Sequence, residues 1–112
     1  MSETNKAQDL SPRPLMRILG DFANSQILDA SIEYDFFTWI HKGYQTAGEV
    51  AQQAGTDARA TRIVLDSLPA LGLVEKRDGK YFLTPTADVF LVKGKPSYVG
   101  DFRHVALALW DG

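Results

Sequence analysis

The sequence predicts a mainly α-helical fold of the winged helix-turn-helix kind. Two short helices lead into a two-stranded β-hairpin wing, with additional helices at the N- and C-terminal ends. Three observations carry this expectation. Thr46 and Glu49 make a T-x-x-E capping box ahead of a small-residue run, and such reciprocal side-chain bonds start helices. Gly55 permits a turn, after which Thr56 or Asp57 caps a second helix. Asp78-Gly79 stands between LVEKR and KYFL, a two-residue loop that closes a hairpin.

From the beginning of the chain, residues 1–11 are polar and are expected to form a disordered tail, leaving 12–112 as one domain. Pro12 and Pro14 mark the boundary, Pro14 suiting the first turn of a helix. Between Leu15 and His41 there is no proline and only one glycine, Gly20. This pattern predicts one long helix, or two with a break near Gly20 to Ser25. Its apolar residues fall on several tracks. Met16, Ala23, Ile27, Ala30, Tyr34 and Phe37 follow one, Leu15, Leu19 and Phe22 another, and Ile32, Phe36, Trp39 and Ile40 a third. A helix apolar on several sides needs more than one neighbour. Either it is the central helix of the monomer, or a second subunit covers it. The pattern favours a homodimer, with Leu15, Met16, Leu19, Phe22, Ala23, Ile27, Ala30 and Tyr34 as its interface.

Lys42 to Gln45 links this helix to the module. The first module helix carries Ala47, Val50, Ala51 and Ala54 on one small-residue face, suited to close packing. The second is expected to place Ala60, Val64, Leu68 and Leu71 inward and to stop at Gly72. Pro69 predicts a bend or early fraying around Leu68, because proline removes a donor and clashes with the preceding turn. In the hairpin Val74, Tyr81 and Leu83 share the face that packs on the helices. Thr84 and Pro85 then begin a short helix with Ala87, Val89, Phe90 and Leu91 on its apolar side. Lys93 to Pro96 reads as a solvated loop. Ser97 is expected to cap a last helix bearing Tyr98, Phe102, Val105, Ala106 and Leu109. That helix runs straight into Trp110-Asp111-Gly112, as though a longer protein continued beyond it.

Composition limits the function classes. With 112 residues and 45% hydrophobic content the chain suits one folded domain with a modest core. The absence of cysteine removes disulfides, thiolate metal sites and thiol nucleophiles, and suits a cytoplasmic location. No apolar run is long enough for a membrane span, and the start lacks the apolar segment of a signal peptide. Residues 1–56 hold four Lys/Arg against seven Asp/Glu, and residues 57–112 hold eight against seven. Neither half has the positive field that drives phosphate binding, so nucleic acid is a poor fit.

No catalytic, cofactor or metal constellation is present. His41 and His104 lack metal-ligand spacing, and His41 suits the C-terminus of a helix. The glycines are dispersed, with no loop to cradle a cofactor's phosphates. Asp29, Glu33 and Asp35 read as a solvated acidic face. Were the module a DNA reader, its second helix would enter the major groove with Ala58, Arg59, Arg62, Ile63 and Asp66 outward. Arg59 and Arg62, with Lys76, Arg77 and Lys80 on the wing, would contact bases or phosphates. Ile63 and Asp66 oppose that role, one by desolvation and the other by repulsion.

Taken in order, an apolar helix with an aromatic-rich end, TAGEVA, GTDAR, LDSLPALGLVE and GKYFLTP form a connected pattern. It resembles the N-terminal dimerisation domain of small-molecule O-methyltransferases dependent on S-adenosylmethionine. The likeness covers about residues 20–92, and Tyr98 to Trp110 resembles the helix that follows in that family. The module alone also resembles winged-helix transcription regulators, which share GLVE and the KYFLT wing and supply the alternative function. The long apolar helix ahead of Thr46 separates the two. The resemblance implies a homodimer and a share in a substrate pocket, with Phe22, Phe102 and Trp110 as lining candidates. It also implies that S-adenosylmethionine binds a separate doubly wound domain that follows. The family's glycine-rich cofactor loop and catalytic histidine have no counterpart in this sequence, so methyl transfer is not expected of this chain alone.

Overall fold

The computed structural model describes residues 10–102. In order these form α1 (Arg13–Glu33), α2 (Phe36–His41), α3 (Ala47–Ala54) and α4 (Ala58–Ser67). A short 3-10 turn (Pro69–Leu71) then leads to β1 (Val74–Arg77), β2 (Lys80–Leu83) and α5 (Pro85–Phe90). The winged helix-turn-helix is therefore present, mainly helical, with an antiparallel hairpin and flanking helices.

The caps act as their residue types require. Thr46 accepts from the Glu49 amide at 3.1 Å, and the Glu49 carboxylate accepts from the Thr46 amide at 3.2 Å. These bonds hold the Glu49 carboxyl below its ordinary range, the Thr46 hydroxyl contributing most. Asp57, rather than Thr56, caps α4 by accepting from the Ala60 amide at 2.9 Å, while Thr56 pairs with the buried Thr61 hydroxyl at 2.6 Å. Asp78 and Gly79 both adopt positive φ, 51° and 75°, as the tightest hairpin turn demands. The resulting register sets Val74 opposite Leu83 and Lys76 opposite Tyr81. Gln45 extends the wing sideways, its carbonyl accepting from the Tyr81 amide at 2.8 Å and its side chain donating to the Tyr81 carbonyl at 3.3 Å.

Four expectations are corrected. The first concerns the break in the long helix, which lies at Tyr34–Asp35 and not near Gly20 to Ser25. Glycine inside a helix costs only about 1 kcal/mol, and α1 runs through Gly20. Asp35 turns the chain instead with φ 58°, a left-handed conformation that short polar side chains tolerate. Second, the inner face of α4 is Thr61 and Leu65, continued by Leu68, whereas Ala60 is exposed. Leu68 is buried and Val64 and Leu71 pack against the core as expected, so Ala60 alone is misplaced. Pro69 does end the helix, heading the 3-10 turn where its missing donor is not needed. Third, α5 buries Ala87, and Leu91 and Val92 follow it inward, but Val89 and Phe90 are 43% and 42% exposed. Fourth, Ser97 sits in a turn and caps nothing, the chain becoming helical again only at Phe102. Positions 103–112, including Val105, Ala106 and Leu109, lie outside the described residues.

The core gathers Phe36, Phe37 and Ile40 of α2, Val50 of α3, Leu65 and Leu68, Val74 and Tyr81 of the wing, and Ala87. The C-terminal half of α1 lies against it through Ile27, Leu28 and Ile32, each partly buried. The N-terminal half leaves the body altogether. All residues from Leu10 to Gln26 are exposed. Arg13 to Gln26 is 14 residues of helix, an arm of roughly 21 Å at 1.5 Å per residue.

Candidate functional site

The arm is the feature that needs an explanation. Leu15, Met16, Leu19 and Phe22 are 59–66% exposed, and Ile18 is 64% exposed. Leu15, Ile18, Leu19 and Phe22 stand at i, i+3, i+4 and i+7, the spacing of a buried helix face. In the isolated chain that face is bare.

The eight interface residues read from the sequence divide between two situations. Leu15, Met16, Leu19, Phe22 and Ala23 lie on the free arm. Ile27 and Ala30 are already partly buried where α1 meets its own protomer. Tyr34 is 44% exposed and its ring stacks on Phe36 at 6.1 Å. Ile18 was missing from the sequence-derived face, although its spacing from Leu15 and Phe22 marks it. Of the lining candidates, Phe22 and Phe102 are 59% and 65% exposed, and Trp110 lies outside the described residues.

The basic residues of the module are arranged differently. Arg59 and Arg62 are exposed on α4, beside Ile63 at 61% exposure. Lys76 is not available in the same way, because its ammonium lies 2.7 Å from the Asp66 carboxylate. That carboxylate also accepts from the buried Tyr81 hydroxyl. The Lys76 bond first, and the Tyr81 bond second, hold Asp66 below its ordinary range. Arg77 lies over the Phe82 ring at 4.2 Å, and Lys80 is exposed beside the turn. A cleft of about 350 Å³ opens between the start of α3 and the wing, bordered by Thr46, Gly48, Arg62, Lys76 and Tyr81. From Thr46 to Thr84 five basic residues meet five acidic ones, so the module as a whole has no net charge.

His41 ends α2 and serves as a clamp. Its Nδ1 lies 3.2 Å from the Asp88 carboxylate, which also accepts from Lys95 Nζ at 2.6 Å. Lys95 contributes most to holding Asp88 below the usual carboxylate range. His104 falls outside the described residues. Among the described residues no group of His, Asp and Glu side chains is placed to hold a metal ion, and no helix is long and apolar enough to cross a membrane. The described glycines with positive φ occupy separate turns at Gly43, Gly55, Gly72, Gly79 and Gly94. They do not assemble into a loop that fits a nucleoside cofactor.

Residues 16–93 match the O-methyltransferase dimerisation domain. The chain is 41% identical over 78 residues to a 3-hydroxy-5-methyl-1-naphthoate 3-O-methyltransferase of Streptomyces sahachiroi, covering 70% of this chain and 23% of that protein. It is 34% identical over 96 residues to a tetracenomycin polyketide synthesis 8-O-methyl transferase of Streptomyces glaucescens, covering 85% and 28%. Its fold is similar to an O-methyltransferase of neocarzinostatin biosynthesis, solved with S-adenosylmethionine and 2-hydroxy-5-methyl naphthoic acid. There the TM-score is 0.71 at 26% identity, over 78% of this chain and 27% of that one. The chain thus spans about a quarter of the length of these curated relatives.

Proposed function

The chain belongs to the O-methyltransferase dimerisation-domain family, and from that premise we propose that it joins two subunits through the arm of α1. The single observation that carries this reading is the bare face Leu15, Ile18, Leu19 and Phe22 on a helix that leaves its own core. Met16 and Ala23 flank that face, and Ile27, Ala30 and Tyr34 continue it toward the body. Apolar surface on this scale is stable in water only when covered. Sedimentation of the chain at micromolar concentration tests the reading. A dimer is expected, and a clean monomer at all concentrations overturns it.

The parent protein, in the same reading, methylates a hydroxyl of a small aromatic molecule. S-adenosylmethionine is held by a catalytic domain beyond residue 112, and Phe22, Phe102 and Trp110 contribute to the acceptor pocket. The support is the chemistry of the similar proteins, one a 3-hydroxy-5-methyl-1-naphthoate 3-O-methyltransferase and another solved with 2-hydroxy-5-methyl naphthoic acid. Incubating the full-length protein with labelled S-adenosylmethionine and a panel of hydroxynaphthoates tests it. Label transferred to oxygen supports the reading, and absence of transfer to any aromatic hydroxyl counts against it. The domain itself supplies pairing and a pocket wall rather than methyl-transfer chemistry. Nucleic acid has no part in the proposed function, since the arginines of α4 share a face with Ile63 and Lys76, one of the two wing lysines, is engaged by Asp66.

A further inference from the structure

The last residue of α2 ties three parts of the fold together at one atom. His41 Nδ1 lies 3.2 Å from Asp88 Oδ1 of α5, and Lys95 Nζ lies 2.6 Å from the same oxygen. A second tie lies one turn back on α2, where the Lys93 amide donates to the buried Thr38 hydroxyl at 3.0 Å. Beyond Lys95 the Val99 amide returns to α5, donating to the Phe90 carbonyl at 2.9 Å. This clasp fixes how the chain leaves the module after α5.

We propose that His41 makes this clasp pH-sensitive, its protonation tightening the hold of α2 on α5 and on the loop that follows. The inference stands apart from the homodimer reading. Of the three side chains only the imidazole belongs to a type that changes charge between about pH 5 and 8, since carboxylates titrate lower and ammonium groups higher. Asp88 is held below the usual carboxylate range, chiefly by Lys95, so its charge is in place throughout. The sign follows from the geometry. A protonated His41 is attracted by Asp88 and repelled by Lys95. Both cations sit on one oxygen, so Lys95 stands across it and farther from the imidazole than the carboxylate does. Attraction at 3.2 Å therefore outweighs the repulsion. The side chains are 33–45% exposed, and ion pairs so placed shift a local equilibrium by about two- to fivefold. Local opening of the loop reads that effect, because regions of a fold open separately from global unfolding.

Amide hydrogen exchange of the whole chain at pH 5.5 and pH 8, corrected for the intrinsic pH dependence of exchange, tests the proposal. Protection of the Lys93 and Val99 amides is expected to be about two- to fivefold greater at the lower pH. The Thr56 amide, bonded to the Ala51 carbonyl between α3 and α4, is expected to show no such change. His41→Gln keeps a donor that does not titrate, and Asp88→Asn keeps the imidazole and removes its anion. The pH dependence is expected to vanish in both, with circular dichroism unchanged. Other charged groups on α2 and on the elements packed against it, namely Asp29, Glu33, Asp35, Lys42, Glu49 and Lys80, are the same in every chain, as is His104. A dependence that survives His41→Gln therefore belongs to another group and overturns the proposal. Equal protection at both pH values in the unsubstituted chain overturns it, and so does a dependence that persists in Asp88→Asn.

Discussion

The hydroxyl of Tyr81, on the inner face of the wing, donates to the carboxylate of Asp66 on α4. The same carboxylate holds Lys76 Nζ at 2.7 Å, and the Lys76 ammonium lies 5.3 Å from the Tyr81 ring centre. Three residues from three elements, α4 and both strands, thus fasten the wing to the second module helix. Tyr81 is 1% exposed while the Asp66 side chain is 40% exposed, so the bond passes from the core to the surface. Replacing Tyr81 by Phe keeps the packing and removes the donor. A loss of about 1 kcal/mol is expected, the usual net value of such a bond, read as a lower urea midpoint at unchanged slope.

The pH dependence of stability follows from three carboxylates. Asp66 and Asp88 sit below their ordinary value of 3.8, and Glu49 below 4.5. A carboxyl with a depressed folded pKa adds stability that is present above its unfolded pKa and lost as pH falls through the folded one. Stability is therefore expected to hold from neutral pH to about 5 and to drop below about 4. Asp66→Asn flattens that acid limb while lowering the plateau. Denaturant titrations at pH 7, 5, 4 and 3 provide the measurement, and an acid limb identical in the variant argues against the assignment.

The capping box makes a separate demand. Thr46→Ala removes the acceptor for the Glu49 amide and the hydroxyl donor to the Glu49 carboxylate, leaving only the backbone amide of residue 46 on it. A cost of about 1 kcal/mol is expected, within the range for lost helix caps. Asp57→Ala, which strips the acceptor from the Ala60 amide, is expected to cost a similar ~1 kcal/mol. The two caps start adjacent helices, so the double variant reports whether they act independently.

In the hairpin, Gly79 holds φ 75°. Gly79→Ala places a Cβ in a left-handed conformation and is expected to destabilise by roughly 1 kcal/mol. Asp78→Asn, at φ 51°, keeps a residue suited to that region and is expected to be nearly neutral. Thermal melts of both variants, measured side by side, check the contrast.

Leu19→Asp tests the arm without touching the core, since Leu19 is 61% exposed in the isolated chain. The monomer's circular dichroism is expected to be unchanged. Association is expected to weaken by on the order of 100-fold, because burial of an apolar side chain is replaced by desolvation of a charge. A dimer of undiminished affinity removes Leu19 from the interface.

The local devices of this fold were legible because each depends on a few neighbouring residues. The Thr46–Glu49 box, the Gly55 turn, the Asp78-Gly79 hairpin and the Thr84-Pro85 start all appear where their residue types demand. The bare arm was foreshadowed by an excess of apolar positions, which no small monomer can cover. Other features were settled only by packing. The long helix breaks at Asp35 because Phe36 and Phe37 must turn into the core, a requirement no local propensity expresses. On α4 Thr61 takes the inward place expected for Ala60, its buried hydroxyl finding a partner in Thr56, whereas a reading by hydrophobicity prefers Ala60. Val89 and Phe90 remained outside because Ala87, Leu91 and Val92 already fill the space beneath α5. The sequence by itself determined where elements start and turn, since caps and turns are short-range chemistry. Only the tertiary structure decided which apolar residues stay exposed, since burial depends on the neighbours that folding brings.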